Sequence, residues 1–145
     1  MLNMLIDPLK NMLSYNKLIE DIKDFKSPIA ISGLMDENIG HIAYALNQHT
    51  NKALLLIVHS EAKAKKIYDD IKNFDESVVE LLPDKEIIFY KVDAISSERS
   101  IERLRVLSRL VKGEPIIVVA HIDAVLNKFI APDIFREHSL HLKQD

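Results

Sequence analysis

Cysteine is absent from this chain of 145 residues, which removes disulfides, thiolate catalysis and every cysteine-ligated zinc or iron–sulfur site. No apolar run reaches the roughly 20 residues a membrane-spanning helix needs, so no membrane contact is expected. The opening MLNMLIDPLKNML is apolar but interrupted by Asp7, Pro8 and Lys10. With no basic stretch ahead of it and no small-residue cleavage site behind, it does not read as a targeting signal, and a cytoplasmic location is expected. Positive charge is also short. Nineteen Lys and Arg against 22 Asp and Glu leave a net charge of −3, so the chain as a whole has no field that draws nucleic acid, and any DNA contact would be local. Low-complexity tracts and Gly/Ser linkers are missing too.

What is present is the composition of an ordinary globular domain, 48% hydrophobic and 28% charged, at a length where folding buries about 70% of the unfolded surface. Leu9, Met12, Leu13, Leu18, Ile19, Ile22 and Phe25 recur at helical spacing, with a break expected at Ser14, so residues 8–25 predict a helical lead. From Pro28 the pattern changes. PIAISG, ended by Gly33, predicts a buried strand, and Ile39, Ile42, Ala43 and Leu46 then share one helical face. The unit repeats: ALLLIVH (53–59) predicts a strand, Ser60 a helix N-cap, and Ala64, Ile67, Tyr68, Ile71 and Phe74 the apolar face of the helix that follows.

Two short runs, VVELL and EIIFY, flank Pro83-Asp84-Lys85. The helix predicted over 98–113 turns Ile101, Leu104, Leu107, Leu110 and Val111 inward and ends at Gly113 in a left-handed C-cap. PIIVVAH after Pro115 is the most uniformly apolar run, as in a strand buried on both faces of a parallel sheet. Alternating strands and helices of this kind predict an α/β layered sandwich, with ligands at the carboxyl ends of the strands. Attention therefore falls on Gly33, His59 and His121. The final HSLHLKQD alternates like a strand begun without a partner, as expected of a chain that continues.

Gly33 opens a strand-to-helix turn where a phosphate loop would sit. Such a loop has the form G-x-x-x-x-G-K-[ST], in which glycines let backbone N–H groups wrap phosphates, lysine neutralises them and the hydroxyl holds magnesium. Set on Gly33, the second glycine falls on Asn38, the lysine on Ile39 and the hydroxyl on Gly40. Asp36 and Glu37 place carboxylates where a triphosphate would lie. The position is kept and the charge logic is reversed. The plain reading is acidic residues at a helix N-terminus.

Six histidines raise a metal site, but neither His41 with Asp36 or Glu37 nor His138 with His141 supplies the two histidines at i, i+4 with a carboxylate that a zinc hydrolase shows. His59 and His121 end neighbouring apolar strands and lack a third ligand. No G-x-S-x-G elbow is present, and no acidic pair follows an apolar strand as a Walker B. No catalytic, metal or cofactor-binding residue is assigned. One basic stripe stands out, Arg105, Arg109 and Lys112 with Arg99 and Arg103 beside it. It reads either as a solvated face of i, i+4 pairs with Glu98 and Glu102 or as a contact for nucleic acid or an acidic partner.

The succession GLMDENIGHIAYAL, ALLLIVHSEAKAKKIYDDIKNF and LLPDKEIIFYKVDAISSERSIERLRVLSRL resembles the N-terminal region of the bacterial transcription-repair coupling factors, the Mfd family, itself similar to the excision-repair protein UvrB. Ser97 departs from the proline many relatives carry. The resemblance implies a RecA-like, P-loop-type three-layer sandwich with a mostly parallel sheet and a degenerate phosphate loop at Gly33, Asp36, Glu37, Asn38, Ile39 and Gly40. It implies a helical lead over 1–26, a UvrB-homology lobe over 27–131 and the start of a UvrA-binding domain over 132–145. It also implies a parent protein that displaces stalled RNA polymerase, recruits UvrA for nucleotide excision repair, and keeps its DNA-translocating motor, with ATP and Mg, in other domains on which this lobe packs. KVDAISSERS after Tyr90 is too short for the DNA-clamping hairpin of UvrB. The alternatives are an ATP-binding helicase lobe and a DNA-binding module built on the 98–113 helix.

Overall fold

The computed structural model describes residues 3–84, 95–126 and 128–138. EIIFY, most of the loop after Tyr90, His141 and the C-terminal run from Ser139 lie outside them. The lead is helical, as its periodicity predicts: α1 (Asn3–Ile6), a 3-10 turn (Asp7–Asn11) and α2 (Leu13–Lys23). The break falls at Met12, whose backbone is extended (φ −91°, ψ 120°), and α2 runs through Ser14. Pro8 explains the irregular start, since it lacks an N–H and fits only the first turn of a helix.

The remaining elements are α3 (Ile39–Thr50), β1 (Leu54–Val58), α4 (Glu61–Lys72), β2 (Val79–Leu82), α5 (Ile95–Val111), β3 (Ile117–His121), α6 (Ile122–Leu126) and α7 (Pro132–Glu137). The three strands form one parallel sheet in the order β1-β3-β2, with Val58 in register with His121 and Leu82 with Ala120. β3 is buried from end to end, the central strand its composition predicts. Alternation sorts its residues between two cores. Ile117 and Val119 face α3 and α4 with Tyr44, Ile67 and Ile71. Ile116, Val118 and Ala120 face Val106 of α5 and Ala124 of α6. The result is an α/β structure, a three-stranded parallel sheet flanked by helices. No helix among the described residues is long and apolar enough to cross a membrane.

Local signals fix several boundaries. Ser60 Oγ accepts from Lys63 N at 3.3 Å and caps α4. Gly113 takes φ +75°, and its N–H and that of Glu114 bond back to Leu110 O and Arg109 O at 2.9 and 3.1 Å, a left-handed cap that satisfies the last carbonyls of α5. Asn47, fully buried, donates to Lys52 O and Pro115 O at 3.0 and 2.7 Å, fastening the end of α3 to the entry of β3.

Two expectations are corrected. The run Pro28–Gly33 is not a buried strand. Residues 28–32 carry no strand pairing and Ile31 is 53% exposed. Apolar composition specifies an extended backbone, but a strand also needs a neighbour to bond, and here the segment lies beside α2 instead. The second correction is the facing of α5. Among its described residues Val106 is buried and Leu107 and Val111 are half-buried, while Ile101, Leu104 and Leu110 are exposed, Ile101 at 65%. The cause is electrostatic and sits on β2.

Candidate functional site at the carboxyl ends of the strands

Glu80 is the second of the four residues of β2, on the α5 side of the sheet, and it is buried. A carboxylate taken out of water needs compensating charge. Arg105 Nη2 meets its Oε2 at 2.7 Å and Arg109 Nη1 its Oε1 at 2.9 Å. Arg109 also donates to Glu114 Oε2 at 2.6 Å and to Ser77 O at 2.6 Å. Burial works against the charge on Arg109, but the hydrogen bonds from Glu114 and Glu80 outweigh it and hold its pKa above the ordinary arginine value. Arg103 donates to Pro83 O and Ala124 O, and burial lowers its pKa. Arg99 meets Asp84 Oδ1 at 2.6 Å. Of the stripe read from sequence as a solvated or DNA-facing surface, Arg99, Arg103 and Arg109 reach β2 and the loop after it, Arg105 pairs with Glu80 while its side chain stays 60% exposed, and Lys112 is exposed. Glu80 was not singled out from sequence. A lone carboxylate within VVELL was the signal that could have found it.

The loop from Gly33 to Gly40 lies apart from this cluster, against α4. Gly33 adopts φ +79° with open space where a Cβ would be. After it a 3-10 turn (Asp36–Asn38) leads into α3. Asp36 Oδ2 lies 2.8 Å from Lys63 Nζ in the first turn of α4. That hydrogen bond holds the Asp36 carboxyl below its usual range, with Lys66 and His59 contributing more weakly. Glu37 is exposed. Gly40 has a packing role: a Cβ there would stand 3.2 Å from Asp70 Cβ and 3.4 Å from Ile71 Cγ1, so it sets the close approach of α3 to α4. Ile39 packs against the core. Residues aligned with the lysine and hydroxyl of a phosphate loop are therefore structural, and Lys63, which reaches this loop from α4, is paired with Asp36.

His59 and His121 do come to one end of the sheet, since each follows or ends a strand in register. His59 is exposed and His121 is 6% exposed. His121 Nε2 stands 3.9 Å from Asp84 Oδ2, beyond hydrogen-bond reach and unlike the base–orienter contact of a catalytic triad. The other described histidines serve the fold. His41 Nε2 pairs with Leu5 O at 2.9 Å, His138 Nδ1 with Ile134 O at 2.9 Å, and His49 Nδ1 with Tyr15 OH at 2.8 Å. Burial pushes Tyr15 up to about 12 and, with Lys10, pushes His49 down. No group of three His, Cys, Asp or Glu placed to hold a metal occurs among the described residues.

Comparison with known proteins supplies what this geometry does not name. No family model matches the chain, and no solved structure matches it. A curated protein does: the chain is 34% identical over 119 residues to the transcription-repair-coupling factor of Bacillus subtilis (strain 168), an alignment covering 74% of this chain and 10% of that protein. The chain is a distant homologue of that factor and matches about a tenth of its length.

Proposed function

We propose that this chain is a nucleotide-silent scaffold lobe, RecA-like in fold, from the UvrB-like N-terminal region of a transcription-repair coupling factor. The similarity to the Bacillus factor carries the reading, and it is supported by a parallel α/β sheet flanked by helices and by a turn at Gly33 that enters α3 through the 3-10 turn Asp36–Asn38. In that loop Asp36 is bonded to Lys63, so the cation available to a phosphate is already matched by a carboxylate. A nucleotide would have to displace Asp36 against like-charge repulsion. The lobe holds neighbouring domains in place, among them a UvrA-binding domain beginning near Pro132, while ATP and Mg act in the motor domains of the parent protein. Its setting is the bacterial cytoplasm, with stalled RNA polymerase, UvrA and DNA as partners of the whole protein.

The test uses the polypeptide of the native reading frame, purified and mixed with a stalled RNA polymerase elongation complex. ATP-dependent release of polymerase is expected, and Asp36→Ala and Lys63→Ala variants should release it at the unaltered rate. Absence of release overturns the family role. Loss of ATPase activity in either variant, with the fold intact, overturns the silent-lobe role.

A further inference from the structure

The helical lead meets the rest of the fold chiefly along α3. Ile6 and Tyr15 enter the core beside Ala43 and Tyr44, with Leu9 and Ile19 partly buried at its margin. Among the described residues two side-chain hydrogen bonds cross this seam, and each uses a histidine of α3: His41 Nε2 with Leu5 O at 2.9 Å and His49 Nδ1 with Tyr15 OH at 2.8 Å. His49 leaves a buried atom unserved. Its Nε2 is shut off from water without a hydrogen-bond partner, the one such side-chain atom among the described residues. The Tyr15 ring stands edge-on to the imidazole at 5.7 Å. The charged groups facing it are Lys10 and Asp7 of the 3-10 turn, themselves paired at 2.9 Å.

We propose that this seam is a pH-sensitive latch, in which protonation of His49 frees the lead, residues 3–23, from α3 while the sheet stays folded. The neutral imidazole can donate from Nδ1 to the Tyr15 oxygen and keep only a lone pair at Nε2. The imidazolium adds an N–H at Nε2 and a full charge, both without a partner and out of water. Opening the seam returns the ring to solvent, so acid favours the open state. Burial, and after it Lys10, hold the His49 pKa below its ordinary value, and Asp7 offsets them only in part. By linkage the latch is fully closed above the open-state value of about 6.5 and weakens as pH falls through it toward the folded value. His41 does not oppose this, since a protonated ring still donates from Nε2 to Leu5 O. Residues 26–32 belong to no helix or strand, so the lead can swing on that link without breaking the sheet. What it uncovers is apolar: Ile6, Leu9 and Tyr15 on one side and the α3 surface they cover on the other. The inference needs only the fold of this chain and stands apart from the proposed function.

Hydrogen exchange of the polypeptide of the native reading frame tests this, read on peptides from α2 and from β3 at about pH 7.5 and pH 5.5 and corrected for the pH dependence of intrinsic exchange. Protection of α2 should fall by about three- to tenfold, tenfold being the most that one histidine with an open-state value near 6.5 yields over this interval. Protection of β3 should stay within about twofold. In His49→Phe the fall in α2 should vanish. If β3 of that variant is unprotected at the higher pH, the comparison is made in His49→Asn, which keeps an acceptor for the Tyr15 hydroxyl and does not titrate. A fall in α2 of less than about threefold overturns the latch. So does an equal fall in β3, which means global loosening, and so does a fall that survives in the non-titrating variant, which assigns it to another group.

Discussion

β1 and β2 flank the same central strand and differ on the face of the sheet that carries α5. There β2 presents a buried carboxylate, and the arginines of α5 reach in to meet it. β1 is wholly apolar, and on that face Leu55 and Ile57 are exposed. The charged strand is therefore the covered one. Burial follows the partner a strand finds, and a carboxylate with two arginines is as good a reason for a helix to dock as a stripe of leucines, provided the ions stay paired.

The largest effect should come from unpairing Glu80. Arg105→Ala with Arg109→Ala leaves a buried carboxylate without either guanidinium, and urea unfolding should show a loss of about 3 to 5 kcal/mol. Adding Glu80→Leu should restore much of it, because the ion that needed pairing is gone. A loss under about 1 kcal/mol would make the cluster an ordinary surface pair. The same double variant should leave any DNA affinity unchanged.

Next is the α3–α4 contact. Gly40→Leu should cost about 1 to 3 kcal/mol by overpacking against Asp70 and Ile71. Rebuilding a phosphate loop by Asn38→Gly, Ile39→Lys and Gly40→Thr should destabilise the protein for the same reason, without creating ATP hydrolysis.

Acid should act on the helical lead. The His49 pKa is lowered in the fold by burial and by Lys10, so the unfolded chain binds the proton more readily. Stability is then fully present only above the unfolded value of about 6.5, and declines as pH falls through it toward the folded value. Unfolding at pH 7.5 and pH 5.5 should show this slope, reduced in His49→Phe. The smallest effect belongs to β1: Leu55→Lys in the 145-residue chain should change stability by less than about 0.5 kcal/mol, in direct contrast to β2.

Much of this was legible in the sequence where one residue type answers to one local force. Ser60 caps a helix, Gly113 ends one, and PIIVVAH forms the middle of the sheet, because N–H satisfaction, positive φ and two-sided burial each leave a mark on composition. Illegible were features that depend on a distant partner. PIAISG has the composition of a strand, but its pairing is decided elsewhere in the chain. α5 has an apolar stripe and a basic stripe, and only Glu80, some 25 residues earlier, decides which turns inward. The degenerate loop was readable as a loss of charge logic, whereas the pairing of Asp36 with Lys63 across 27 residues was not.

The most direct measurement is isothermal titration of the 145-residue protein with ATP and Mg, with its fold verified by circular dichroism. No saturable heat up to millimolar nucleotide is the expected result, since Asp36 already holds the lysine a phosphate would need. Saturable binding in the micromolar range, lost in Lys63→Ala, would contradict a silent lobe and restore this loop as a nucleotide site.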